Sequence, residues 1–449
     1  MRGSRAESLL PGDRQKIAVI GSGISGISAA WSLNFNHDVT LYENEQRAGG
    51  HTCTVDVDYD GNIIPVDVGF IVFNERNYPN LCALFSHLGV ASETTNMSFA
   101  MSLDNGKREW CGQDIASVFA QKRNVVSPRF WWMIKDIMRF NRIAVRDRDN
   151  GTMDGRTIGQ YLDEQRFSAR FRNDYLIPMA AAIWSTPKVK MLDFPARAFV
   201  NFFENHRLLE ITPPIWQTVS GGSRSYHNKM LATLPDIRLA DGVDAVHRAT
   251  NGQILIASEK GTDTFDHVVI ATHSDQALAL LADADRDEKA VLGSIGYNPN
   301  RVVLHRDASF MPKRKRAWAA WNYLRESARG DESNISLTYW MNRLQNIDHD
   351  YPLFVSLNPT REPARGTVFG EWSFSHPQFD AMAMSAQSVL PQIQGRRNTW
   401  FAGAWTGYGF HEDGLKSGLA VARALGGHIP WEAETDAAPV ANPLAVAAE

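Results

Sequence analysis

The sequence predicts an α/β fold, and three stretches of the chain carry that prediction. Lys16-Ile17-Ala18-Val19-Ile20 is a short apolar run that enters Gly21-x-Gly23-x-x-Gly26, a strand passing through a glycine turn into a helix. Asp38 to Tyr42 is a second apolar strand close behind that helix. Far along the chain, Thr399-Trp400-Phe401-Ala402-Gly403 reads as a further strand, and His411-Glu412-Asp413-Gly414 opens a helix after it. Continuous apolar strands alternating with helices are the pattern of a parallel sheet covered on both faces.

The first element sets the chemistry. Gly21 allows a tight turn, Gly23 lets the backbone approach a pyrophosphate, and Gly26 lets the helix lie close to the strand. The helix N-terminus offers free N–H groups and partial positive charge to phosphates. The second strand ends in Glu43, 17 residues after Gly26, where a carboxylate can accept from ribose hydroxyls. Together these predict a Rossmann-like dinucleotide-binding unit. Midway, Val219-Ser220-Gly221-Gly222-Ser223 precedes a helix-like stretch, Tyr226 to Leu234. Short strands around Ile237 and Val243 follow, and Phe265 to Thr272 is a buried strand that returns to the nucleotide domain.

After Glu43 comes Asn44-Glu45-Gln46-Arg47-Ala48-Gly49-Gly50-His51. An arginine two residues before a glycine pair resembles the FAD signature of the flavin amine oxidase and phytoene desaturase superfamily. That signature reads Arg-x-Gly-Gly-Arg, and His51 stands where its last arginine would be. Val66-Asp67-Val68-Gly69 resembles the family's Asp-x-Gly element beside the isoalloxazine. Gly403 and the stretch His411 to Ala420 look like its C-terminal FAD motif. The resemblance implies bound FAD, with Gly21, Gly23, Gly26, Glu43, Arg47, Gly49, Gly50, Asp67, Gly69, Gly403, Asp413 and Gly414 at the cofactor. It also puts Val243 against the adenine end. Glu412 or Asp413 is expected to contact the cofactor or to cap the helix.

The resemblance further implies two discontinuous domains. An FAD domain is expected from 16–78, 212–284 and 396–428, and an α+β substrate domain from 79–211 and 285–395. Residues 1–15 and 431–449 read as loose tails. A chain of 449 residues exceeds one core, so two domains are also the prior from length. With 44% hydrophobic and 21% charged residues it reads as a soluble globular protein. A net charge of −4 argues against nucleic acid as a partner. Cys53, Cys82 and Cys111 have no metal-ligand spacing and suit a reducing cytoplasm. No apolar run is long enough to span a bilayer, and the polar first 15 residues lack a signal-peptide core.

The substrate region is aromatic and basic. Lys122-Arg123 precedes Arg129-Phe130-Trp131-Trp132, and apolar residues at 130, 133, 134, 137 and 140 recur at helical spacing. A second cluster runs Lys313-Arg314-Lys315-Arg316-Ala317-Trp318. Cations beside tryptophans suit the headgroup layer of an anionic membrane, so peripheral contact with the inner membrane face is expected. An amphipathic core helix and a solvated basic loop are the alternative readings.

Amine oxidases of the superfamily often place a lysine near flavin N5. The matching strand, Asn300 to Asp307, has none, and Arg301 lies nearest. His411 occupies the aromatic-cage position three residues before Gly414, with Trp405 close by. Arg301 and His411 are therefore the expected catalytic residues, His411 as an acid or base at neutral pH or as a flavin hydrogen-bond partner. Trp184 and Trp372 are candidate cavity walls or core. With a single Gly-x-Gly-x-x-Gly and no NADPH domain visible, electrons would pass to oxygen, a quinone or another carrier, or return to the substrate. The chain resembles bacterial FAD oxidoreductases of this superfamily that are associated with cyclopropane-fatty-acid synthase-like enzymes. That resemblance implies dehydrogenation of a fatty acyl or lipid substrate; an amine oxidase and a double-bond isomerase are the rival readings.

Overall fold

In a computed structural model, residues 14–184, 188–210, 214–325 and 336–432 are described. Lys16–Ile20 lies at the centre of a five-stranded sheet in the order Asp236–Arg238, Asp38–Tyr42, Lys16–Ile20, His267–Ile270, Thr399–Phe401. Every pairing is parallel, with Ile20 beside Tyr42 on one side and Ile270 on the other. Alternation along the central strand explains its unbroken apolar run. Ile17 and Val19 pack into one core and Ala18 and Ile20 into another, one on each face. Fully burying such a side chain stabilises by about 1.5–3 kcal/mol.

On the first face lies the helix Ile24–Leu33, all ten residues of which are buried. It is crossed by the helix His411–Ala424, and glycine makes the crossing possible. A Cβ on Gly418 would stand 2.2 Å from Ser25 O, and one on Gly414 would stand 2.7 Å from Ile24 Cγ2. The opposite face is covered by the antiparallel strands Val243–Arg248, Ile254–Ser258 and Gly261–Phe265 and by the helices Ser274–Leu280 and Arg286–Leu292.

A seven-stranded sheet forms the second layer. Its order is Val368–Gln378, Gly296–His305, Phe354–Leu357, Ser336–Trp340, Trp321–Arg325, Phe99–Leu103, Arg108–Cys111. All its strands come from the two long segments between the nucleotide-binding elements. Its pairings are antiparallel except that of Trp321–Arg325 with Phe99–Leu103. The helix Pro128–Asp149 packs beside it, burying Phe130, Met133 and Phe140 at the predicted spacing. Trp184 is core, 4.4 Å from Phe202 between ring centroids, and is not a cavity wall.

Residues 1–13 and 433–449 of the expected tails, and 185–187, lie outside the described residues. Trp431, expected in a loose tail, instead stacks on Trp31 with centroids 6.0 Å apart. No helix among the described residues is long and apolar enough to cross a membrane.

Candidate functional site

A cavity of about 860 Å³ runs from the carboxyl ends of the parallel strands to the underside of the seven-stranded sheet. The carboxyl ends are where open α/β sheets bind ligands. Of the expected cofactor residues, Gly21, Gly23, Glu43, Gly50, Gly69, Val243 and Gly403 line it, as does His411.

The glycine turn has the shape of a phosphate cradle. Gly21 has φ +98°, and a Cβ there would lie 2.8 Å from Ala271 O. Gly26 is a packing residue, since its Cβ would overlap Gly21 O at 1.7 Å. Gly23 differs from both: no protein atom lies within 4 Å of where its Cβ would sit. Gly23 is also the N-cap of the helix Ile24–Leu33, which no side chain caps. Open space beside an uncapped helix N-terminus suits a phosphate.

Glu43 accepts at one oxygen from Ser22 N at 3.0 Å and at the other from Glu45 N at 2.9 Å, bracing the turn from the ribose side. Beside it Asp241 is 1% exposed, and neither of its carboxylate oxygens has a hydrogen-bond partner among the described residues. Its nearest cation is Lys260 Nζ at 3.9 Å, and a nucleoside would bring hydrogen-bond donors to this carboxylate. The residues present therefore fit the pyrophosphate and nucleoside of FAD.

The remaining expected contacts act one step back from the cavity. Arg47 does not reach it; its guanidinium donates to Thr52 O and Gly50 O, each at 2.8 Å, and to Ala48 O at 3.1 Å. It thereby holds the loop in which Gly49, at φ +124°, donates to Ser22 Oγ at 2.9 Å. Asp67, expected beside the ring, is fully buried and accepts from Ser223 N at 3.0 Å, Thr54 Oγ1 at 2.5 Å and Gln345 Nε2 at 3.1 Å. It pins three distant segments together, and burial pushes its pKa up to about 6. Asp413 caps the turn before the last helix, accepting from Tyr408 N and Phe410 N at 3.0 Å, and burial likewise raises it to about 6. Gly414 serves the helix crossing. Glu412 receives Asn80 N and Leu81 N at 3.0 Å and so caps the helix Pro79–Leu88.

Arg301 is a correction. Val302 lines the cavity, so its neighbour in the strand points the other way. The guanidinium lies on the outer face, donating to Glu371 at 2.5 Å and Glu362 at 2.6 Å. Paired pKa shifts agree, with Arg301 raised and both carboxylates lowered by these bonds.

His411 is at the site, but not as an acid at neutral pH. Its ring stacks on Phe70 at 3.9 Å, and its Nε2 is 2.6 Å from Tyr226 Oη, itself 2.6 Å from Thr52 Oγ1. Burial, and then His227, lower its pKa to about 3. It is therefore a neutral imidazole, with Nε2 placed to accept from Tyr226. Beside it, His51 packs on Phe374 at 4.9 Å and on His376 at 5.2 Å, and Asn300 Nδ2 is 2.9 Å from His376 Nδ1. Burial holds both histidines below the ordinary range, His376 to about 4. The seven-stranded sheet completes the wall with Phe99, Trp321, Tyr339 and Phe374, and segments outside it add Met179, Ile183, Phe202, Trp216 and Arg207. Sequence reasoning missed Tyr226, Asp241, His376 and Arg207. They fall outside the family motifs, although Tyr226 follows the Gly221-Gly222 turn and Asp241 lies two residues before Val243.

Three free thiols and no grouping of His, Cys, Asp or Glu suited to a metal ion occur among the described residues. A glycine cradle at the head of a parallel sheet, roofed by a mixed sheet over a mainly apolar cavity, is the architecture of a two-domain dinucleotide-dependent oxidoreductase. The family model for flavin containing amine oxidoreductase matches residues 24–343. The chain belongs to that family, which binds FAD, and is an FAD-dependent oxidoreductase. Its fold is similar to that of a CLA-producing fatty acid isomerase from P. acnes. The two share 16% identity over 91% of this chain and 98% of that one, with a TM-score of 0.64. Putrescine oxidase bound to putrescine matches at 13% identity over 92% of this chain and 99% of its own, TM-score 0.65. Cyclohexylamine oxidase from Brevibacterium oxydans matches at 13% over 92% and 100%, TM-score 0.65.

Proposed function

We propose that the enzyme dehydrogenates a fatty acyl or other lipid chain held beneath the seven-stranded sheet. The observation that carries this is the charge of the wall. On the side away from the glycine turn the lining is mostly Met, Ile, Leu, Val, Phe, Trp and Tyr, with Ser98 and His206 among them; Arg207, 3.6 Å from Glu210, is the one charged side chain lining it among the described residues. An ammonium group would find no carboxylate in the lining itself, whereas a carboxylate or phosphate headgroup would meet the Arg207 guanidinium, which it would share with Glu210. The surrounding apolar surface suits an alkyl chain.

Gly23 and the following helix N-terminus would hold the pyrophosphate, Glu43 and Val243 the nucleoside, and Gly50, Gly69 and Gly403 the space nearest the ring. Bound FAD would supply a two-electron hydride acceptor, with the proton lost from the neighbouring carbon passing out to solvent. The protein's part is orientation, exclusion of water by the aromatic wall, and neutral imidazoles at His411, His51 and His376 that place no competing positive charge beside the acyl chain.

The test is anaerobic bleaching of the flavin by acyl lipids against a panel of monoamines and polyamines. Bleaching by amines, with peroxide released on readmitting air, and none by acyl lipids would replace this reading with an amine oxidase. A second reading follows from the presence of one dinucleotide fingerprint in the chain. The hydride can return to the acyl chain and move a double bond; one structurally similar protein is named a fatty acid isomerase. Isomerisation turns over without an electron acceptor, and dehydrogenation does not.

A further inference from the structure

Two basic segments almost 200 residues apart meet on the surface. The turns Lys122–Asn124 and Lys315–Ala317 form the sides of a groove of about 560 Å³ lined by Gln121, Lys122, Arg123, Arg314, Lys315 and Arg316. Arg314 is committed to the buried Glu109 at 2.7 Å, whereas Lys122, Arg123, Lys315 and Arg316 have no ion-pair partner among the described residues. No Asp or Glu occurs from Ile115 to Lys135 or from Met311 to Arg325. In a chain of net charge −4 this is a concentrated positive face.

The same face is apolar. Ile115, Val125, Val126, Trp131, Trp132 and Met138 are exposed, Val126 by 79% and Trp132 by 56%. They belong to one surface: Trp131 Nε1 donates to Val125 O at 2.8 Å, and Lys135 Nζ lies 4.7 Å over the Trp132 ring. Along the outside of the helix Pro128–Asp149, Trp131, Lys135, Met138 and Arg142 share one face, alternating apolar and cationic. Phosphate-backbone binding has no use for exposed valine, isoleucine and methionine, but a bilayer has use for both halves of this pattern. Cations meet the headgroups, and tryptophan and aliphatic side chains enter the acyl boundary.

We infer that this face, centred on the groove between Lys122-Arg123 and Lys315-Arg316, docks the enzyme on an anionic lipid bilayer. The docking stands on surface chemistry, and only its purpose, collecting an acyl substrate, rests on the proposed reaction.

The experiment is co-sedimentation of the flavin-loaded enzyme with vesicles of phosphatidylcholine alone or mixed with phosphatidylserine. The wild type partitions onto the mixed vesicles, and added salt weakens the partitioning. Neutralising one cation by Lys315→Gln lowers the partition coefficient about fivefold, and the set Lys122→Glu, Arg123→Glu, Lys315→Glu, Arg316→Glu lowers it more than about a hundredfold. Trp131→Ala with Trp132→Ala loses at least about tenfold at unchanged charge. An unaltered flavin spectrum in each variant shows that it is folded. Brominated lipids quench wild-type tryptophan fluorescence, a readout that needs no variant. Equal partitioning onto neutral and anionic vesicles, no quenching, or a quadruple variant that partitions like the wild type overturns the inference. Tighter binding to duplex DNA than to the anionic vesicles at equal salt would assign the face to nucleic acid instead. Flavin bleaching by detergent-dispersed acyl lipid needs no docking, so failure here and failure of the proposed reaction are separable.

Discussion

Two glycines of one motif give opposite expectations on substitution by alanine. Gly23 has φ −60° and ψ 176°, which alanine adopts freely, and nothing within 4 Å of its Cβ position. Alanine gains about 0.4–1 kcal/mol by restricting the unfolded chain and loses a similar amount as a poorer N-cap. The apoprotein should therefore melt within about 2 °C of the wild type. Its FAD affinity should fall, because the added methyl occupies the space assigned to the pyrophosphate. Charge-assisted bonds from the helix N-terminus are worth about 1.5–3 kcal/mol, a loss of roughly ten- to a hundredfold in Kd. In Gly26→Ala the Cβ would lie 1.7 Å from Gly21 O, where real Cβ contacts stay above 3.0 Å. Strand and helix must part by more than an ångström, and such overpacking costs about 1–3 kcal/mol or more. The apoprotein should then melt several degrees lower, at about 2–4 °C per kcal/mol. Gly296→Ala, with no atom within 4 Å of its Cβ, is the neutral control. FAD titration by flavin fluorescence and apoprotein melting separate the two effects. Wild-type FAD affinity in Gly23→Ala, or equal destabilisation by both substitutions, would refute the division of the motif into a ligand glycine and a packing glycine.

Arg301→Ala should leave steady-state activity and flavin content unchanged and cost at most about 1 kcal/mol, as for exposed ion pairs; a large loss of kcat would put it back at the flavin. Tyr226→Phe removes the hydroxyl between Thr52 Oγ1 and His411 Nε2. It should destabilise by about 1–3 kcal/mol and alter the flavin's visible spectrum, whereas an unchanged spectrum would detach His411 from the ring. Acid should destabilise the protein through its buried histidines. His411 is lowered to about 3, and His376, His206 and His305 to about 4, all mainly by burial. The unfolded chain takes up these protons near 6.5, so their contribution is complete above that pH and is lost as pH falls toward 4. Asp67 and Asp413, raised to about 6, act in the opposite sense, contributing below 3.8 and losing that contribution as pH rises through 6. The four histidines outnumber the two carboxyls, so the melting temperature should fall from pH 6.5 to 4; a flat or rising profile would show that the histidines are hydrated.

The cofactor half was legible because its signals are local. A run such as Ile17 to Ile20 needs cover on both faces, and the five-stranded sheet supplies it. The glycine turn carries its geometry in residues five apart. The second half was not legible in the same way. Asp67 and Asp413 sit where the motif puts them, yet their carboxylates are satisfied by protein N–H groups, those of Asp67 from residues as distant as Ser223 and Gln345.

By itself, then, the sequence determined the parallel sheet, the glycine cradle and the class of cofactor, because turn chemistry and hydrophobic period act within a few residues. Only the tertiary structure decided which side chains reach the cavity. A strand alternates faces at every residue, so one step separates Val302 in the wall from Arg301 among surface carboxylates. The wall is gathered from segments hundreds of residues apart, from Phe99 to Phe374, and so is the basic face from Lys122 to Lys315. Their meeting follows from packing, which no local pattern encodes.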